Sequence, residues 1–282
     1  MKFDPIIKRD IKVSSRGPGF MALIMVINVI LCGAGLLGVF GRLTGMNAYG
    51  RIDPGQLLYV YMMVAGIMAV FTILVLPGRT TGIITSERDS GTLDLMIAAG
   101  LSPAGIITGK YLSSLLFGIV AVFSCFPALI IPLIYGGVGF SACLLLLMSF
   151  LPTAALVLAI GVFASSAART SSSAAAMAYG IIIALVAGPV LIAFLVNPVI
   201  PDGSNYMAYS VLLCPGVPSV SLILDQTGNG EFIDLFFSYL GLVPNAVFMS
   251  YITLFSSVTE LVMMAAFLIG AGVNITPKRR YR

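Results

Sequence analysis

The chain has 282 residues, 59% of them hydrophobic and 9% charged, with a formal net charge of +4. Soluble domains carry about 25% charged residues, so this composition excludes an ordinary soluble enzyme and makes lipid the solvent for most of the surface. There is no His, which removes the commonest metal ligand and general base. Cys32, Cys125, Cys143 and Cys214 lack metal-type spacing, so neither a metal centre nor a disulfide framework is expected.

The first nineteen residues are read as one unit, 1–19. Phe3, Ile6, Ile7 and Ile11 recur at helical spacing, with Lys2, Lys8, Arg9 and Lys12 between them. That pattern predicts an amphipathic helix lying in the membrane interface, with a disordered basic tail as the alternative. A cleavable signal is excluded because the apolar run from Phe20 continues to Phe40, longer than a signal core. The basic clusters here and at Lys278, Arg279, Arg280 and Arg282 suit membrane lipid, an anionic cytoplasmic leaflet, rather than nucleic acid.

A membrane span takes about 20 apolar residues. Six such stretches are expected, at 20–41, 56–78, 105–135, 141–165, 173–197 and 245–273. The third carries Pro127 and Pro132, which predict a kink or break near its outer end. Gly33, Gly35 and Gly38 in the first, and Gly161 with Ser165 in the fourth, offer small faces for close helix contact.

Charge orients these spans. Thirteen of the fifteen Lys and Arg fall in the N-terminal arm, the 79–104 loop with Lys110, the Arg169 loop and the C-terminal tail. Arg42 and Arg51 alone lie on the other side. The positive-inside rule then puts both termini in the cytoplasm and 198–244 outside. That external segment is punctuated by Pro215, Pro218, Gly228 and Gly230 and contains short apolar runs beside Asp202, Asp225, Glu231 and Asp234. Two re-entrant helices folded into the outer membrane face account for it, with two further spans as the alternative. The whole chain, 1–282, reads as one all-α transmembrane domain.

No catalytic residues are identified. The nearest approach to a phosphate-cradling loop runs from Gly105 to Tyr111. It is one residue short, puts Tyr after the Lys and has no preceding strand. Energy for any transport therefore comes from another polypeptide or from an ion gradient. Glu260 is the one carboxylate placed clearly within a span, where a charge costs on the order of 2.5–3.5 kcal/mol. It is read either as a proton or cation site on a translocation path, with Asn28 as a candidate neighbour, or as a hydrogen-bonded packing residue.

The loop between spans two and three has the most structured sequence. A helix over 85–100 would align Glu87, Gly91, Asp94 and Leu95, with Leu93, Met96 and Ile97 as an apolar patch. Gly100 would end it, and Ser102 with Pro103 would open the next helix as N-cap and first residue. Such a helix suits docking in a groove on a partner.

At these residues the chain resembles the ABC-2-type transporter permeases. The likeness rests on the run from Glu87 through Arg88, Gly91, Thr92, Leu93, Asp94 and Met96, then Gly100, Leu101 and Ser102, then Gly109 and Lys110. Asp94 stands where the family usually has Glu, and Ala98, Ala99 and Gly100 replace its usual turn. The resemblance implies a non-catalytic membrane subunit of an exporter, in the plasma membrane of a bacterial cell. It implies that 85–100 is a coupling helix that contacts a separate ATP-binding subunit through Glu87, Arg88, Gly91, Thr92, Leu93, Asp94 and Met96. It implies two copies of that subunit, a second permease of the same or a homologous chain, and ATP with Mg bound on the partner, with no cofactor on this chain. The competing expectations are an ion-gradient-driven transporter using Glu260 and a membrane scaffold.

Overall fold

The computed structural model describes residues 18–44, 54–134, 138–196, 209–228 and 246–275. In chain order its helices are α1 (Pro18–Thr44), α2 (Pro54–Leu74), α3 (Leu76–Thr80), α4 (Thr85–Asp89), α5 (Thr92–Ala98), α6 (Pro103–Ser124), α7 (Phe126–Ile134), α8 (Phe140–Ala167), α9 (Ser171–Val196), α10 (Val217–Gln226) and α11 (Ala246–Ile275), with a 3-10 turn at Tyr209–Leu213 before α10. The described residues contain no strand. Six stretches are long and apolar enough to cross a membrane: Met21–Gly41, Leu58–Asp89, Pro103–Ile134, Phe140–Ala167, Ser171–Ile192 and Tyr251–Ile275. They correspond to the six expected from hydropathy. The expected interfacial helix at 1–19 lies outside the described residues apart from its last two positions, which begin α1.

The second span extends beyond its expected end, and the third breaks beside Pro127, near the outer end where a kink or break was expected. The second span runs on past residue 78 as a stack of α2, α3 and α4 ending at Asp89. The third is interrupted at Cys125, between α6 and α7. Pro127 falls in the first turn of α7, where its missing N–H costs no ladder bond.

The fourth span, α8, is the axis of the bundle. Inside the protein lies 72% of its apolar window, against 17% for the fifth and sixth spans. It packs on α2, α3, α6, α7, α9, α10 and α11, while α1 packs on α2, α6 and α7 at the periphery. Two glycine contacts set its closest approaches. A Cβ on Gly161 would overlap Thr80 Oγ1 and stand 2.9 Å from the Pro77 carbonyl, so α3 lies directly against α8 there. A Cβ on Gly118 would come within 2.7 Å of Leu158, where α6 crosses the same helix.

Within the expected external segment, 198–244, the described part is 209–228. Its α10 has ten residues, about 15 Å of helix, half of what a span requires. It packs against α2, α8 and α11. The remainder of that segment lies outside the described residues.

Candidate functional site

The 85–100 region is two short helices, not the single helix expected. Gly91, at φ 71°, stands between α4 and α5 in the left-handed conformation. Before it, the Ser90 and Gly91 amides close α4 by donating to Ser86 O and Arg88 O, each at 3.1 Å. The hydroxyls of Ser90 and Thr92 both donate to the Glu87 carbonyl, at 3.2 Å. This short polar knot competes with helix continuation, as Ser and Thr beside a Gly commonly do. The C-terminal end follows the expectation. Gly100 has φ 85°, and Ser102 Oγ accepts from the Gly105 amide at 3.1 Å, with Pro103 in the first turn of α6.

Three polar side chains of this segment, Thr85, Glu87 and Arg88, are engaged with the rest of the protein. The Arg88 guanidinium donates to the carbonyls of Ala168 and Ser166, at 2.6 and 2.9 Å. Those carbonyls end α8, so Arg88 caps the central helix and places a cation at the negative end of its dipole. In return, Ser165 Oγ accepts the amides of Ile84 and Thr85, at 2.9 and 3.2 Å, at the start of α4. Thr85 Oγ1 and Ser171 Oγ share a hydrogen bond of 2.9 Å, tying α4 to the head of α9. Lys110 Nζ, on the second turn of α6, lies 2.5 Å from Glu87 Oε1, with side-chain exposures of 9% and 12%. An ion pair this enclosed is costly to break, because removing one member strands the other charge. Glu87 Oε2 is buried without a hydrogen-bond partner.

The expected partner-facing residues therefore divide. Glu87, Arg88 and Leu93 are engaged within the chain: Leu93 is 6% exposed and belongs to the hydrophobic core. Thr92 and Met96 are half-buried, and Gly91 is exposed. The side chain of Asp94 lies outside the described residues. The outer surface consists of Ser86, Asp89, Ser90, Gly91, Leu95, Ala98, Ala99 and Gly100. Leu95, 70% exposed, is its one large apolar group. Lys110, Ser165, Ser166, Ala168 and Ser171 escaped sequence reasoning as members of this site. Only the pairing of Gly109 with Lys110 and the small side chain of Ser165 marked any of them.

Glu260 is fully buried on α11. Thr153 Oγ1, on α8, lies 3.1 and 3.0 Å from its two oxygens, and Oε1 accepts the Gly216 amide at 2.9 Å. Gly216, at φ 91°, precedes α10, so the carboxylate sits at the positive end of that helix. Asn28 is not among its hydrogen-bond partners. Its amide donates to Ile24 O at 2.9 Å and Ser124 Oγ at 3.3 Å, which keeps it between α1 and α6. The sequence grouped these two residues only because both are polar within spans. No group of three or more His, Cys, Asp or Glu able to hold a metal occurs among the described residues.

A multi-pass helical membrane protein, with an exposed two-helix turn latched to its central span, is the class that this architecture defines. Residues 5–273 match the family model described as ABC-2 family transporter protein. The chain belongs to that family: it is an ABC transporter permease. Membership implies association with an ATP-binding subunit in general, and members are typically non-catalytic membrane subunits. No curated protein matches the chain.

Proposed function

We propose that this permease works as an exporter, driven by ATP hydrolysis on a separate subunit that docks on the α4–α5 turn. The observation that supports this reading is the two-sided construction of the turn. Leu95 and residues 89–91 and 98–100 are exposed, while Glu87, Arg88 and Thr85 bind α6, α8 and α9 from the other side. A push on the outer surface thus reaches three spans through charge-assisted or buried hydrogen bonds, among the stronger polar contacts available to a side chain. Because α8 also packs on α10 and α11, displacement of its end is felt at the opposite end of the bundle.

In this reading, 13 of the 15 basic residues place the turn and both termini in the cytoplasm, in the plasma membrane of a bacterial cell. Two ATP-binding subunits, carrying ATP and Mg, pair with this chain and a second permease of the same or a homologous sequence. The 198–244 segment lies outside, with α10 folded back between α8 and α11. Glu87 and Arg88, first expected to face the ATP-binding subunit, become the transmission side of the contact, and Leu95 its anchor. Glu260 is given a packing role rather than ion coupling, because Thr153 and Gly216 already occupy its oxygens.

The test is coexpression with the ATP-binding subunit. A Leu95→Asp variant puts a charge into an apolar contact and lowers copurification and permease-dependent ATPase activity roughly tenfold or more. Its melting temperature stays that of the wild type, since Leu95 contributes little to the core. Undiminished copurification of Leu95→Asp would falsify the docking assignment.

A further inference from the structure

The loop between α8 and α9 lies against α4 and adds a second exposed surface beside the α4–α5 turn. Two side chains of α4 hold it there. Arg88 donates to the Ala168 carbonyl at 2.6 Å, and Thr85 Oγ1 shares a hydrogen bond of 2.9 Å with Ser171 Oγ. Ala168 itself is buried, whereas Arg169 and Thr170 are exposed. The loop is stiffened on its far side as well. The Thr170 amide donates to Ser173 Oγ and the Ser173 amide to Thr170 Oγ1, each at 3.2 Å, a reciprocal cap on the head of α9. Arg169 therefore stands between two fixed residues and points away from the core. It forms no ion pair with any described carboxylate, including Asp89, the exposed residue that follows Arg88.

We propose that the α8–α9 loop is a second contact of the ATP-binding subunit, with Arg169 received by a carboxylate on that subunit. The inference deepens the docking reading above and rests on it. Family membership implies such a partner in general, and the loop continues the exposed surface of the turn without a gap in the chain of bonds from Arg88 to Ala168. An exposed Arg on a stiff loop loses little side-chain and backbone freedom on binding. Its guanidinium fork matches a carboxylate in two parallel hydrogen bonds. Leu95 is then the apolar anchor and Arg169 the polar contact that fixes register, a division of labour common in protein interfaces. The arrangement also has a mechanical consequence. Arg169 follows directly on the end of α8, so the partner bears on the central span itself as well as on α4. A push at both points moves the two helices together and leaves the Arg88 bonds between them intact.

The test uses the full-length chain coexpressed with the ATP-binding subunit. A photoreactive benzoylphenylalanine at position 169 links to that subunit on illumination, whereas the same probe at Ile183, 65% exposed on the membrane-spanning part of α9, does not. Arg169→Glu places like charges opposite one another and weakens the complex roughly tenfold at low salt. The deficit shrinks at high salt, where exposed charges are screened, and Arg169→Lys retains most of the affinity. The melting temperature of the permease alone is the same in all three forms, because Arg169 contacts nothing in the core. Crosslinking from position 169 to lipid alone would assign Arg169 to the membrane surface and overturn the proposal. So would wild-type affinity in Arg169→Glu when Leu95→Asp still weakens the complex, and the docking reading would then stand without it. If Leu95→Asp has no effect while position 169 crosslinks to the subunit, the anchor is wrong and the loop contact survives.

Discussion

Arg88, on the short helix α4, donates both arms of its guanidinium to the carbonyls of Ser166 and Ala168 at the end of α8. A residue of the α4–α5 turn is in this way bonded to the most enclosed span of the bundle. Arg88 of the family signature is, within the chain, a joint between a short surface helix and the core.

This joint predicts a graded series. Arg88→Ala removes two charge-assisted hydrogen bonds and a C-cap, and lowers stability by about 1.5–3 kcal/mol. Arg88→Lys supplies a point charge without the fork and recovers only part of the loss. Thermal unfolding in detergent gives the order wild type, Lys, Ala. A Lys variant as stable as the wild type would show that the two-carbonyl geometry is unimportant.

Gly161 and Gly66 are expected to respond in opposite directions. Gly161→Val forces α3 away from α8, because the Pro77 carbonyl and Thr80 leave no space. It costs about 1–3 kcal/mol or more, as overpacking does. Gly66, inside α2, has nothing within 4 Å of its missing Cβ. Gly66→Ala is then neutral, or stabilising by up to about 1 kcal/mol through helix propensity. If Gly161→Val expresses and melts like the wild type, the close crossing of α3 and α8 is wrong.

Glu260 separates packing from ion coupling. Glu260→Gln keeps an acceptor oxygen for the Gly216 amide or the Thr153 hydroxyl and is expected to retain most of the stability. Glu260→Leu strands both donors at a cost of about 1–3 kcal/mol for each buried group left unsatisfied. It also loosens the 209–228 segment, which limited proteolysis detects. A Gln variant that is fully stable yet inactive in transport would restore the proton-site reading.

Much of this protein was legible from composition and periodicity. Bilayer thickness dictates the length of an apolar stretch, so the six spans follow from counting along the chain, and the proposed orientation rests on the basic residues that sort to one side of them. The positions of Gly100, Ser102 and Pro103 were also readable, because helix caps are local chemistry involving residues three or four apart. The break at Gly91 was less so. Its left-handed backbone depends on whether the Ser90 and Thr92 hydroxyls bond the Glu87 carbonyl or the helix continues, a close local competition.

The sequence by itself determined a six-span, all-helical member of the ABC-2 permeases, since solvent preference and short motifs are written residue by residue. Only the tertiary structure decided which face of the α4–α5 turn looks outward, that Leu93 is core and Leu95 surface, and that Glu260 meets Gly216 while Asn28 meets Ser124. These are choices between residues dozens of positions apart. Lipid surrounds the bundle with the same apolar character that fills it, so hydrophobicity does not say which side of a helix is buried. Close glycine contacts and a few long-range polar bonds make that selection, and neither is spaced regularly along the chain.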